Sequence, residues 1–303
     1  MRGEKGFALV LTLMVTALMV AAAVELIYQV YVDTSLSRSF RDGQQASLLA
    51  ESGAYGGQSL LMMEISGQNY TSLSDKWGVP FKQEDETGRI EITITEESGK
   101  INLNALVLQT GNSDPITLGM LQLLGTPLQI PESAWNAVAD WIATVPRAGG
   151  VESPYYKTLN PPYSAHNGRM TTVNELALVK GFTPDMVAKL APFVTVYPNQ
   201  TGTIAGQTVN VNTAPKEVLM ALDSSIDSGS AERIIDERNV TPFKAPGELS
   251  RAVSSQLATS LTSKVIVKGT VFRITARGFV KDAARTVEAV VRTDGTILSW
   301  QEY

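Results

Sequence analysis

The chain has 303 residues, a net charge of −5, a single histidine and no cysteine. The missing cysteine excludes disulfides and thiol chemistry, and the acidic balance argues against a polyphosphate partner, because nucleic-acid binders carry a basic footprint. The length is enough for two domains beyond an anchor. Residues 1–6 form a short leader with Arg2, Glu4 and Lys5, and an uncharged apolar run extends from Phe7 to Val24. At about 1.5 Å per residue the run reaches roughly 27 Å, the thickness of a bilayer's hydrocarbon core. Positive charge ahead of it and Glu25 and Asp33 behind it place everything after about residue 25 outside the cytoplasm. A secretory signal peptide cut near Ala21–Ala23 is the rival reading, with an uncleaved signal anchor between the two. No turn signal separates the run from a helix-compatible segment that ends near Ser66-Gly67.

Residues 7–65 are therefore read as one membrane-spanning and amphipathic helix. Gly43, Gly53, Gly56 and Gly57 punctuate its second half. Each costs about 1 kcal/mol relative to alanine, which points to close packing of another helix or a sheet on that face; a kinked or frayed second half is the alternative. Residues 66–104 read as a first β region. Arg89–Thr95 alternates with period two, Glu96-Glu97-Ser98-Gly99 supplies a turn, and Lys100–Asn104 is the expected returning strand. Residues 105–205 read as helical and loop-rich, with helices near 118–124, 131–143 and 185–190, and a capping-box start at Thr172–Glu175. A weak repeat follows: the alternation around Asn102 and Asn104 returns around Asn210 and Asn212. Residues 206–263 carry short helices near 215–222 and 230–238, and residues 264–303 read as an antiparallel meander packed on the N-terminal helix.

The Lys5-Gly6-Phe7 boundary resembles the leader of type IV pilus and pseudopilus subunits. That resemblance implies cleavage between Gly6 and Phe7 by a prepilin peptidase, N-methylation of Phe7, and retention of the apolar run. The usual glutamate at the fifth mature position is Leu11 here, which suits a subunit with nothing above it. Ser98–Ala105, Asp140-Trp141-Ile142 with Tyr155-Tyr156, Val209–Ala214 and the closing Ser299-Trp300-Gln301-Glu302 extend the likeness. Taken in order over nearly the whole chain, they resemble the protein K family of minor pseudopilins in type II secretion. The family implies an α+β fold: a pilin-like long N-terminal helix packed on an antiparallel sheet, with a large inserted α-helical domain of SAM-like or helix-hairpin-helix-like character. It further implies a single pass through the inner membrane with the body in the periplasm, and a place at the pseudopilus tip, where filament assembly for export of folded proteins begins. The partners it implies are the I, J and H minor pseudopilins and the major pseudopilin. A tip subunit of a type IV pilus is the neighbouring reading.

Calcium is the one candidate cofactor, because relatives carry acidic clusters after the Asp-Trp pair. Here Asp140 and Glu152 are the candidate ligands, short of the several carboxylates a six- to eight-oxygen site prefers. Asn210–Leu249 also resembles a helix-hairpin-helix module, which binds phosphate at a glycine-containing turn and a helix N-terminus. Asp227 sits in that turn, and Arg233, Arg238 and Lys244 are outnumbered by acids, so packing is the favoured role and DNA uptake the alternative. Trp141, Tyr155, Tyr156 and Tyr163 read as a small core before a partner surface. His166 reads as a surface residue, and with no nucleophile motif or paired histidines the chain is expected not to be an enzyme.

Overall fold

The computed structural model describes residues 3–145, 154–199 and 207–303. Helix α1 runs unbroken from Gly3 to Ile65, about 95 Å at the usual rise. It stops where Gly67 takes φ +79°, a left-handed conformation open to glycine just past a helix end. Strands β1 (Phe81–Asp85), β2 (Gly88–Glu96) and β3 (Ile101–Asn102) follow, then helices α2 (Pro115–Gly125), α3 (Glu132–Ile142), α4 (Pro154–Lys157) and α5 (Pro184–Leu190). Next come β4 (Val194–Thr195), β5 (Val209–Asn210), α6 (Lys216–Ala221), α7 (Ser228–Val240), α8 (Ser255–Leu261) and β6 (Val265–Ile266). The chain closes with β7 (Val271–Val280), β8 (Ala283–Arg292) and β9 (Ile297–Glu302).

A five-stranded antiparallel sheet in the order β1-β2-β7-β8-β9 carries the second half of α1 on one face. Period-two alternation puts Ile92 and Ile94 of β2, Phe272, Ile274 and Ala276 of β7, and Val287, Ala289 and Val291 of β8 into one core with Ala50, Ala54, Leu61 and Ile65. The opposite face keeps Thr95, Arg273, Glu288 and other polar groups, as an antiparallel sheet with one covered side requires. Sequence and structure disagree over the first hairpin. Residues 100–104 do not return along β2; the partners of β2 are β7 and, upstream, β1, which pairs Phe81 with Ile92. The β3 strand instead pairs in parallel with β4, and Ile101 N–H donates to Phe193 O at 3.0 Å. The Asn102 segment therefore belongs to the helical unit. Strand β1 gives no apolar alternation because all five of its residues are exposed.

The helical unit contains two copies of one design. In the first, β3 pairs with β4, and in the second, β5 pairs with β6, both in parallel over two residues. Asn104 accepts from Met170 N–H and donates to Met170 O and Val196 O. Asn212 accepts from Phe243 N–H and donates to Phe243 O and Val267 O. Each Asn pair is also closed internally, since Asn102 accepts from Asn104 N–H and Asn210 from Asn212 N–H. A 3₁₀ turn follows each closure, at Val173–Leu178 and Pro246–Arg251. A capped helix comes next, with Thr183 accepting from Met186 N–H and Ser254 from Leu257 N–H. One apolar core runs through both copies, from Ile101 to Val267, so the boundary expected near 205 divides no core.

Candidate functional site

Among the described residues one helix is long and apolar enough to cross a membrane, α1. Its side chains from Phe7 to Tyr31 face outward from the protein, with Phe7 72% exposed and Leu11 51%. Nothing in the body covers them, which matches a segment whose solvent is lipid. Gly6 and Phe7 lie within this helix. The first buried residue on α1 is Asp42, whose Oδ2 meets Lys281 Nζ at 2.8 Å; that ammonium holds the Asp42 carboxyl below its ordinary range.

The four glycines in the second half of α1 divide. A Cβ at Gly53 would lie 3.0 Å from Ile90 and 3.1 Å from Ala276, and one at Gly57 would lie 3.0 Å from both Ile92 and Ile274. Gly43 meets Arg285 at 3.4 Å, while Gly56 faces open space. Gly53 and Gly57 thus serve the chain's own sheet, and that surface is closed to a partner helix. Gly278 on β7 completes the approach, since a Cβ there would overlap Ala46 O on the α1 backbone. Reading the sequence missed Gly278, although a lone glycine inside an alternating strand is the recognised sign of close backbone approach. Beside Gly56 an apolar hollow of about 530 Å³ opens between α1 and β2, lined by Leu60, Trp77, Val79, Phe81 and Ile94 among others.

In the first helical copy, Trp141 and Tyr156 are buried and meet edge to face at 5.3 Å, with Tyr155 and Tyr163 packed on them. The aromatic loop is core, as expected. Asp140 lies in the last turn of α3, and Glu152 falls outside the described residues. Among the described residues no group of three or more His, Asp or Glu gathers to hold a metal ion; the calcium expectation, which needs Glu152, lies outside the described residues. His166 is exposed, with Nδ1 2.9 Å from Glu175 Oε2. Burial raises the Glu175 pKa, but hydrogen bonds from Thr171, His166 and Thr172 N–H outweigh it and bring the carboxyl down to about 2.

In the second copy, the N-terminus of α7 is filled by Asp227, which accepts from Ser230 N–H at 2.7 Å. Arg233 donates to Ser230 Oγ and Ala252 O. Arg238 is buried, donates Nη1 to Val211 O and Ala214 O at 2.7 Å each, and is lowered by that burial to about 10. Lys244 lies over the Tyr70 ring. A hairpin used for phosphate needs its helix N-terminus and its cations free; in this one they are engaged by the protein itself.

The seam between sheet and helical unit is made at the end of β2. Glu97 is buried between Lys100 Nζ at 2.9 Å and Arg273 Nε at 2.8 Å. Burial would raise its pKa, but the two cations hold it below the ordinary value. Glu96, its neighbour, is buried against Thr71, Asn210 and Thr213, with no cation beside it among the described residues.

Comparison with known proteins gives one family. Two family models, both described as Type II secretion system (T2SS), protein K, match residues 99–199 and 209–267, together just over half of the chain and divided as the two copies are. A Type II secretion system protein K from Pseudomonas aeruginosa is 29% identical over 265 residues, covering 82% of this chain and 77% of that protein. One from Aeromonas hydrophila is 23% identical over 310 residues, covering 95% and 93%. The crystal structure of the GspK-GspI-GspJ complex from the enterotoxigenic Escherichia coli type 2 secretion system contains a chain of the same fold. It superposes with a TM-score of 0.72 at 20% identity, covering 88% of this chain and 99% of that one.

Proposed function

The chain belongs to the type II secretion system protein K family, and from that premise we propose that it is the tip minor pseudopilin that starts pseudopilus assembly. In this reading the N-terminus stays inside the cytoplasm during insertion. A prepilin peptidase cuts between Gly6 and Phe7 and methylates Phe7, and α1 holds the body on the periplasmic side of the inner membrane. Pseudopilins of the I and J types pack beside α1, a reading supported by the solved GspK-GspI-GspJ complex, with the H type and the major pseudopilin joining below. The role is structural and not catalytic.

The observation that carries the reading is the combination on one helix of a bare apolar span, with Leu11 in place of an acid, and a head enlarged by two helical copies. An acidic residue at that depth would pair with the amine of a subunit above and would otherwise cost several kcal/mol in lipid. Leucine removes both the pairing group and the cost. The bulky head leaves no room for a further subunit on top.

The test is co-expression of the full chain with a prepilin peptidase, followed by mass spectrometry of the mature N-terminus and co-purification with the I- and J-type partners. A methylated start at Phe7 together with a stable three-subunit complex is the expected result. A start near Ala23 or Val24 would remove the anchor and with it the proposal.

A further inference from the structure

We propose that Glu96 is a proton-dependent latch between the strand body and the helical unit, closed when its carboxyl is neutral and loosened when it ionises.

The argument begins with position. Glu96 is the last residue of β2 and continues the inward face of Ile92 and Ile94, so the strand's own alternation drives a carboxyl into the seam. There it meets three other segments. Oε2 accepts from Thr71 Oγ1 at 2.7 Å, and Oε1 accepts from Asn210 Nδ2 at 2.7 Å and Thr213 Oγ1 at 3.2 Å. Gly269 closes the fourth side: its N–H donates to Thr71 Oγ1 at 2.9 Å, and a Cβ on it would overlap the Glu96 carboxyl. Thr71 and Gly269 flank the sheet, while Asn210 and Thr213 belong to the second helical copy, so the carboxyl lies where the two units meet.

The charges around it are accounted for on every side. From the segment after α1, Asp75 adds repulsion, while Glu64 Oε1 accepts from Lys76 N–H. On β2 and β7, Glu97 takes both Lys100 and Arg273, and Arg273 also pairs with Glu288. Lys268 donates its Nζ to Gln68 O, and Arg238 is spent on Val211 O and Ala214 O. Among the described residues no cation is left for Glu96, and three neutral donors only partly replace water around a buried carboxylate. Burial accordingly raises its pKa to about 7, with Asp75 adding to the rise and the hydrogen bonds from Asn210, Thr71 and Thr213 opposing it.

The sign follows from linkage. A carboxyl whose folded pKa is raised binds more protons in the closed state, so the closed seam loses stability as pH rises from about 4.5 to about 7. The consequence is a helical unit held rigidly on the body in mild acid and freer to reorient in mild alkali.

The experiment is hydrogen exchange with mass spectrometry on the full chain in detergent micelles at pH 5.5 and 8.5, corrected for intrinsic rates. The reporters are peptides containing the amides of Thr71, Asn210 and Gly269, which bond to Val267 O, Ser98 O and Thr71 Oγ1, and the reference is β7–β8. The wild type should lose about tenfold in seam protection relative to that core on going to pH 8.5, and Glu96→Gln should show no such loss. Thr213→Val removes one donor to the carboxylate and should move the wild-type transition to higher pH, which a merely structural seam would not do. Equal relative protection at both pH values in the wild type, or an unchanged pH dependence in Glu96→Gln, overturns the proposal. Should Glu96→Gln fail to fold, the wild-type and Thr213→Val profiles decide it.

Discussion

The two helical copies close the same asparagine hooks but satisfy the backbone beneath them differently. In the first copy an eight-residue detour after Leu106 brings Asp114 N–H onto Leu106 O at 2.8 Å, and Leu106 N–H onto Leu103 O at 3.0 Å, so the main chain serves itself. In the second copy the chain passes directly through Pro215 into α6, and the equivalent carbonyls of Val211 and Ala214 turn to Arg238 from α7. A shorter connection is thus offset by one buried cation. The first copy spends its extra length elsewhere too, on the aromatic loop between α3 and Met170. The comparison teaches that the invariant part of the design is the hook, and that loop length and buried charge are interchangeable means of supporting it.

Breaking the hooks should give the largest effects. Asn212→Ala strands Phe243 N–H and Phe243 O in a fully buried setting, while Val267 O keeps its bond from Thr71 N–H, for a loss of about 3 kcal/mol. Asn104→Ala strands Met170 N–H, Met170 O and Val196 O in a half-buried one, for about 2 kcal/mol. Urea denaturation of the two variants side by side checks the order, and equal losses would mean that burial does not distinguish the copies. Arg238→Leu should cost about 2 kcal/mol, because two carbonyls lose their donor while a desolvated charge is relieved. The counterpart in the first copy is Asp114→Ala, which removes the cap on Thr117 N–H and should cost about 1 kcal/mol.

Acid separates the copies as well. The Glu175 pKa is depressed, so the stability it gives the first copy is complete above about 4.5 and drains away as pH falls toward about 2. Glu175→Gln should flatten thermal unfolding over that window, opposite in sign to the trend expected of Glu96 at the seam of the second copy. The smallest effect is expected on the surface of α5: Lys189→Ala breaks an exposed pair with Asp185 and should change stability by less than about 0.5 kcal/mol.

Much of this design was readable from residues. The echo of Asn102-Leu103-Asn104 in Asn210-Val211-Asn212 was legible as a repeat, but the hooks that Asn104 and Asn212 close depend on distant backbone groups that spacing does not show. The uncharged run after Gly6 and the period-two pattern of β7 and β8 were equally plain. The false hairpin arose because residues 100–104 alternate as a strand does, and alternation says that a segment is extended without saying what it pairs with. Strand β1 was invisible for the converse reason: its Phe-Lys-Gln-Glu-Asp sequence is exposed throughout and pairs through backbone and one surface ion pair, Lys82 with Glu91. Helix α8, Ser255–Leu261, passed unnoticed because its capping serine and two buried apolar residues make a weak signal over seven positions. Glu96 was read as part of a turn, although counting on by twos from Ile92 and Ile94 assigns it to the inward face. The general preference for acids at the surface outweighed the local register.

Between the end of the apolar run at Val24 and the first burial at Asp42, α1 is a bare rod of about 25 Å. That length is a stand-off height. With the apolar run seated in a bilayer, as the proposed function has it, the rod would lift the body clear of the surface by up to that length, leaving open space around it.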